Sequence, residues 1–419
     1  MVKLLLVAPT CNGEDIGEAY IAHQWAQNLA QRHDVTLLTY HKRGATPAAQ
    51  QLKNIRIVEW SEPPVLGRAE RLNSILKPGY LPFHFRARRW IRQALASGNH
   101  FDIIHQPVPV AMRYPSPAAN MGLPLVVGPV GGGLPSPPGL DSDDSSSPWY
   151  LTLRNLDQYR LRWDPLLRRT FESADCVLGI GEYVRELLSA VHLHRFEVMS
   201  DNALDELPPI VARKIRPEST KLLYVGRLIR TKGARDIIRA VALVKDLPIE
   251  LDLVGDGPDR SECENLIAEH ALEDRIKLHS WKSKSDVSEY YRKADIFVFP
   301  SYREPGGRVV LEAMSYSLPL IVVDRGGPSS ATSDACAIKL SITTREKLAV
   351  DLAEAIRKLA ANRRLRLQMG IAALEHVTRT ALWPARLERM DAIYADVIAA
   401  RAQKLAIPTQ GDHYRPQGH

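Results

Sequence analysis

The chain has little cysteine. Cys11, Cys176, Cys263 and Cys336 are the only four in 419 residues, and no two form a Cys-x-x-Cys pair. That spacing excludes a disulfide framework and a cysteine-based zinc site, and it fits a reducing compartment. His192 and His194 lack partners at metal-ligand spacing, so no metal is expected. No apolar run approaches the ~20 residues of a membrane-spanning helix. Met1–Pro9 is too short for a signal peptide and has no small-residue cleavage site, which makes the cytoplasm the expected compartment. Glycine and proline gather in loops and form no low-complexity tract.

What is present describes a soluble globular protein, with 45% hydrophobic and 25% charged residues. A chain of 419 residues exceeds one ordinary core, so two domains of similar size are expected. The net charge of +7 is uneven. Lys53, Arg56, Arg68, Arg71, Lys77, Arg86, Arg88, Arg89 and Arg92 face only Glu59, Glu62 and Glu70 over the same stretch. Between Trp149 and Arg169, Arg154, Arg160, Arg162, Arg168 and Arg169 interleave with Tyr150, Tyr159 and Trp163. Such a pattern suits a segment lying on an anionic membrane surface, or a solvated face that attracts an anionic substrate. No nucleic-acid-binding motif accompanies the charge, so nucleic acid is not an expected partner.

Short apolar strands alternate with helical stretches, which predicts an α/β protein with parallel sheets. Strands are expected at Val2–Ala8, Asp34–Tyr40, Ile55–Trp60, Phe101–Ile104, Pro124–Gly128 and Cys176–Ile180, with a helix over Glu18–Gln31. A second series is expected at Lys221–Val225, Glu250–Val254, Ile276–His279, Ile296–Phe299, Leu320–Val323 and Ala337–Leu340. The boundary falls near Leu204–Ser219, where Pro208, Pro209 and Pro217 interrupt a polar connection; the domains are then 1–205 and 206–380. Asp141–Ser147 reads as a polar tip, and the polar segment beyond Pro408 as a disordered tail.

The chemistry concentrates between Glu304 and Glu312. Ile296–Phe299 is a buried strand ended by Pro300 and Ser301; Gly306 and Gly307 then turn the backbone into a helix that includes Val309–Met314. A helix start leaves free N–H groups and a partial positive charge, which suits phosphate, and Arg308 in its first turn adds a formal charge. Glu304 and Glu312 would repel phosphate; they suit sugar or ribose hydroxyls as hydrogen-bond acceptors. Arg227 and Lys232 follow the strand ending at Gly226, placed to neutralise a diphosphate. Val254-Gly-Asp-Gly257 lacks a third glycine, and Asp256 would repel a pyrophosphate, so a nicotinamide cofactor is rejected there. Gly326-Gly327 follows Leu320–Val323. Asn12-Gly13 and Gly17 follow the first strand and face the same cleft.

Together these residues resemble the retaining glycosyltransferases of family 4 (glycosyl transferases group 1). Glu304 and Glu312 match that family's Glu-x7-Glu motif, and Gly226-Arg227 with Lys232-Gly233 match its donor-diphosphate motif. The resemblance is dense over 220–330 and looser in the N-terminal half. It implies a GT-B fold: two doubly wound Rossmann-like domains facing an interdomain cleft, with a C-terminal helix, 381–404, packing back on the first. It assigns Arg227 and Lys232 to the donor diphosphate, Glu304 to the transferred sugar, Glu312 to the ribose, and the amides of Gly306, Gly307 and Arg308 to phosphate. The backbone beside Trp281 would lie against the base. The acceptor side would include Gly13, Gly17, Gly131 and Gly132. The co-substrate is then a nucleotide-diphosphate sugar, with no other cofactor and no metal, and the acceptor a glycan or lipid-linked precursor. A catalytically silent sugar-nucleotide binder, or an epimerase or phosphorylase on the same scaffold, is the alternative. Two departures stand out. Gly128-Pro-Val-Gly-Gly-Gly133 occupies the place where many members have a histidine, with His105 as a nearby substitute or a structural residue. The motif loop reads Glu-Pro-Gly-Gly-Arg, without the phenylalanine that often precedes the second glycine.

Overall fold

A computed structural model describes residues 1–15, 17–62, 79–137, 140, 156–209 and 219–406. The expected tip at Asp141–Ser147, most of the prolyl connection and the tail beyond Pro408 lie outside the described residues, as do Arg68, Arg71, Lys77, Trp149, Tyr150 and Arg154.

The first seven strands are β1 (Lys3–Thr10), β2 (Asp34–His41), β3 (Arg56–Ser61), β4 (Ile103–Gln106), β5 (Leu125–Val130), β6 (Cys176–Gly179) and β7 (Phe196–Val198). They form one sheet in the order β3-β2-β1-β4-β5-β6-β7, with every pairing parallel. Six more follow: β8 (Thr220–Val225), β9 (Ile249–Val254), β10 (Ile276–His279), β11 (Ile296–Phe299), β12 (Leu320–Val323) and β13 (Ala337–Leu340). These make a second parallel sheet, β10-β9-β8-β11-β12-β13. Each sheet reverses direction once, between β1 and β4 and between β8 and β11. Such a switch point parts the crossover connections and leaves a crevice at the carboxyl ends of the strands.

Most interior strands are buried on both faces, which is why they appear in the sequence as apolar runs. Along β1 the side chains alternate. Leu4 and Leu6 enter a core with Trp25 and Leu37, whereas Leu5 and Val7 enter the opposite core with Phe83 and Ile91. The first of these cores is completed from the far end of the chain. Trp383, Leu387, Met390, Ile393, Tyr394 and Val397, at three- and four-residue steps on the helix Trp383–Ala406, pack into it. That helix begins where Leu204 and Leu382 form a short parallel bridge. Leu204 N donates to Ala381 O at 2.8 Å, and Trp383 N to Leu204 O at 3.2 Å.

Two expectations need correction. The fourth strand lies at Ile103–Gln106, two residues later than Phe101–Ile104, and this places His105 inside it. β7 has no counterpart in the expected series, because its three residues are only half-buried or exposed and make no apolar run.

Candidate active site

The loop after β8 is shaped by one buried ion pair and one close approach. Arg230 donates from two nitrogens to Asp236, at 2.9 and 3.1 Å, and both residues are buried. Gly233 has φ 79°, and a Cβ there would sit 2.7 Å from Pro300 O, so glycine lets this loop press against the end of β11. Ser301 Oγ and Tyr302 N each donate to Thr231 O at 3.2 Å, fixing the two loops together. Lys232 is thereby carried into an ion pair with Glu304, donating from Nζ to Oε2. Arg227 is exposed just beyond the strand end. The pair stands at the switch point between β8 and β11, where the crevice opens.

Beyond Glu304 the chain turns through Gly307, at φ 87°, into the helix Arg308–Ser315. The first N–H groups of that helix have no intrahelical acceptor. Four residues on, Glu312 is oriented from two sides. Arg308 Nε donates to its Oε1 at 3.1 Å, and Tyr291 OH to its Oε2 at 3.2 Å. The guanidinium of Arg308 is therefore shared with Glu312, although the sequence suggested it would serve phosphate alone. A carboxylate has about four lone-pair sites, so Glu312 can still accept from a ligand hydroxyl. The loop after β12 clamps the turn: Gly327 N donates to Glu304 O at 2.9 Å, and a Cβ at 327 would lie 2.1 Å from Gly306 O.

On the first domain, Gly13 N donates to Gln51 Oε1 at 2.6 Å, and Gly17, at φ 71°, caps the helix Glu18–Leu29. Gly132 N donates to Tyr183 OH at 3.3 Å. Gly131 is buried, and Ile180 fills the space beside it. His105 does not reach the acceptor side. It is fully buried, its Nε2 lies 2.6 Å from Gly128 O and its Nδ1 2.6 Å from Tyr394 OH. A carbonyl only accepts, so Nε2 carries the proton and Tyr394 donates to Nδ1. Burial pushes its pKa down to about 4, so it stays neutral. Trp281 is exposed past the end of β10, two strands from β8.

Asp201 carries no signal in the sequence. This carboxylate follows β7, is buried, and accepts from Asn202 Nδ2 at 2.7 Å. Its Oδ1 lies 3.0 Å from where a Cβ on Gly306 would be, so it touches the motif loop. Burial raises its pKa, and the nearby charge of Glu304 acts in the same direction. Arg386, buried on the C-terminal helix, is pushed down to about 10 by burial, an effect the charge of Asp201 opposes. Among the described residues, no three His, Cys, Asp or Glu side chains gather as metal ligands, and no helix is long and apolar enough to cross a membrane.

Two family models match the chain. The glycosyl transferase 4-like domain covers residues 17–199, and glycosyl transferases group 1 covers residues 210–376. A D-inositol 3-phosphate glycosyltransferase of Paenarthrobacter aurescens is 28% identical over 170 residues, 39% of this chain and 41% of the relative. A putative teichuronic acid biosynthesis glycosyltransferase, TuaC of Bacillus subtilis, is 30% identical over 207 residues, 45% and 50% of the two chains. The chain thus spans half or less of the length of these curated relatives. Among solved structures, sucrose-phosphate synthase from Thermosynechococcus elongatus superposes with a TM-score of 0.63 at 21% identity, over 95% of this chain and 99% of the other. The lipopolysaccharide outer core galactosyltransferase WaaB gives 0.62 at 14%, over 96% and 99%. These likenesses, with two parallel-sheet domains built alike, make the fold GT-B. The chain belongs to the group 1 glycosyltransferases.

Proposed function

We propose that this protein transfers a glycosyl group, with retention and without a metal ion, from a nucleotide-diphosphate sugar to a hydroxyl of a glycan or lipid-linked acceptor. The observation that carries the reading is the Lys232–Glu304 pair at the switch point, beside the glycine-capped helix start and the exposed Arg227. The bond from the sugar's anomeric carbon to the diphosphate breaks, and its electron pair leaves on a phosphate oxygen. The acceptor oxygen bonds to the same face of that carbon, and its proton passes to the departing phosphate. The positive charges of Lys232 and Arg227 stabilise the charge that develops on the leaving group, the largest contribution such a site can make. Lys232 has three N–H donors, of which Glu304 takes one. Glu304 then accepts from a hydroxyl of the sugar, and Glu312 from the ribose.

A role in surface polysaccharide or glycoconjugate synthesis is supported by TuaC and by a lipopolysaccharide core biosynthesis glycosyltransferase, LpsD of Rhizobium meliloti, 31% identical over 173 residues. A nucleotide-sugar donor is supported by the Anabaena protein HepE, solved with UDP and glucose, which superposes with a TM-score of 0.54 at 16% identity. An anionic membrane as the source of the acceptor is supported by Phe85 and Trp163, 64% and 73% exposed, each beside exposed arginines.

The test is a panel of nucleotide sugars, scored for thermal stabilisation and then for turnover with the anomeric configuration of the product read by NMR. A stabilising nucleotide sugar that is consumed with retention is expected. Stabilisation without turnover would leave a sugar-nucleotide binder, and inversion would remove the retaining mechanism.

A further inference from the structure

We infer that Asp201 is a positioning residue for the donor loop, bearing on Gly306 from the first domain's side, with the buried guanidinium of Arg386 on the C-terminal helix as its countercharge. This rests on the proposed function only for its effect on catalysis. The contact is steric: Asp201 Oδ1 lies 3.0 Å from where a side chain on residue 306 would begin. Residues 199–204 are tied on both sides of Asp201. Met199 N donates to Gly179 O at 2.8 Å, and Leu204 N to Ala381 O at 2.8 Å. These bonds anchor the backbone on either side of Asp201 independently of the donor loop.

Arg386 supplies the countercharge. It is 2% exposed, its guanidinium carbon lies 5.8 Å from the Trp25 ring centroid and 5.6 Å from that of Trp383, and its Nε and Nη1 have no hydrogen-bond partner. A buried cation without hydrogen bonds is costly unless an opposite charge compensates it. Asp201 is the acidic group whose charge acts on it. The C-terminal helix, which closes the first domain's core, thus also carries the cation whose charge compensates the carboxylate that bears on Gly306. Glu304 lies two residues before Gly306 and Gly307 one after. A loosened contact would displace both the sugar acceptor and the phosphate-facing amides.

The experiment compares the whole protein with Asp201→Asn, Arg386→Met and the double variant. Hydrogen–deuterium exchange is followed over Glu304–Val309, and kcat and donor KM are measured with the nucleotide sugar that stabilises the unaltered protein. Asp201→Asn should speed exchange at Gly306–Arg308 about tenfold without raising it across the second sheet. It should lower kcat by roughly a hundredfold with donor KM changed far less, since a small misplacement at a reacting centre acts on the transition state. Arg386→Met should do the same, and the double variant should be no worse than either single change. If Asp201→Asn fails to fold because Arg386 is left buried alone, the double variant carries neither charge and still tests the loop. Unchanged exchange at Gly306–Arg308 in a folded variant, or losses in the two variants that simply add, would overturn the inference. A loosened loop in a protein with no transferase activity would count against the proposed function and leave the positioning role standing.

Discussion

His105 on β4 and Tyr394 on the C-terminal helix are 289 positions apart and share a hydrogen bond of 2.6 Å in the middle of the first domain's core. Trp25 stands edge-on to the same imidazole, with ring centroids 5.4 Å apart. The ring that the sequence offered as a catalytic substitute is thus a strut between β4 and the C-terminal helix.

The strut makes the fold sensitive to acid. Buried His105 refuses a proton until about pH 4, whereas an unfolded histidine takes one near 6.5. Between those values the unfolded state binds more protons, so stability falls as pH drops, by roughly 3 kcal/mol from this residue when the range is crossed. Burial lowers His23, His33, His84 and His376 as well, which acts in the same sense. Urea midpoints at pH 7 and pH 5 should show the loss, and equal midpoints would contradict it.

Lys232 and Arg227 should separate in a way their motif does not suggest. Each change to alanine should weaken donor binding ten- to hundredfold, for ~1.5–3 kcal/mol per charged hydrogen bond to phosphate. Only Lys232→Ala should also lower the thermal midpoint of the free protein, because it strips Glu304 of its ion-pair partner while Arg227 is exposed. Donor affinity unchanged by both substitutions would place the phosphates elsewhere, and equal shifts of the thermal midpoint would contradict the structural part of the Lys232–Glu304 pair.

Glu304→Gln keeps the shape of the loop but removes a charge. Nucleotide binding should survive and transfer should drop severely. A chelator should leave the rate of the unaltered enzyme intact. Either a near-normal rate in the variant or inhibition by the chelator would show that the catalytic groups are misassigned.

Gly327→Ala is the steric test of the clamp. Its Cβ would lie 2.1 Å from Gly306 O and 2.2 Å from Pro305 O, both backbone atoms that cannot swing aside. Donor binding should fall at least tenfold by isothermal titration, with helix content by circular dichroism unchanged. Wild-type affinity would mean that the turn holds its shape without the clamp.

A chain ending at Thr380 would lose Trp383, Leu387, Met390, Ile393 and Tyr394, all buried in the first domain's core. Losing one such side chain commonly costs 2–5 kcal/mol, so removing five exceeds the stability of an ordinary domain. The shortened protein should aggregate or give an unfolded first domain by near-ultraviolet dichroism. A soluble monomer with native signal would show that the helix is dispensable.

The sequence by itself determined the strands of the second sheet to the residue at Ile276–His279, Ile296–Phe299, Leu320–Val323 and Ala337–Leu340. Buried parallel strands are apolar runs bounded by turn residues, and that signal is local. The sequence also determined the motif itself, because a glycine turn into a helix between two carboxylates is written in consecutive residues. Periodicity, however, records which side chains are buried, and it says nothing of what they are buried against. A two-residue shift in the bounds of β4 decided whether His105 faced a cleft or a core, and only the sheet register resolved it. The meeting of Lys232 with Glu304, the contact of Asp201 with Gly306 and the return of Tyr394 to β4 each join residues tens to hundreds of positions apart. Such contacts exist only once the switch points, the short bridge at Leu204 and the C-terminal helix have brought distant parts of the chain within van der Waals reach.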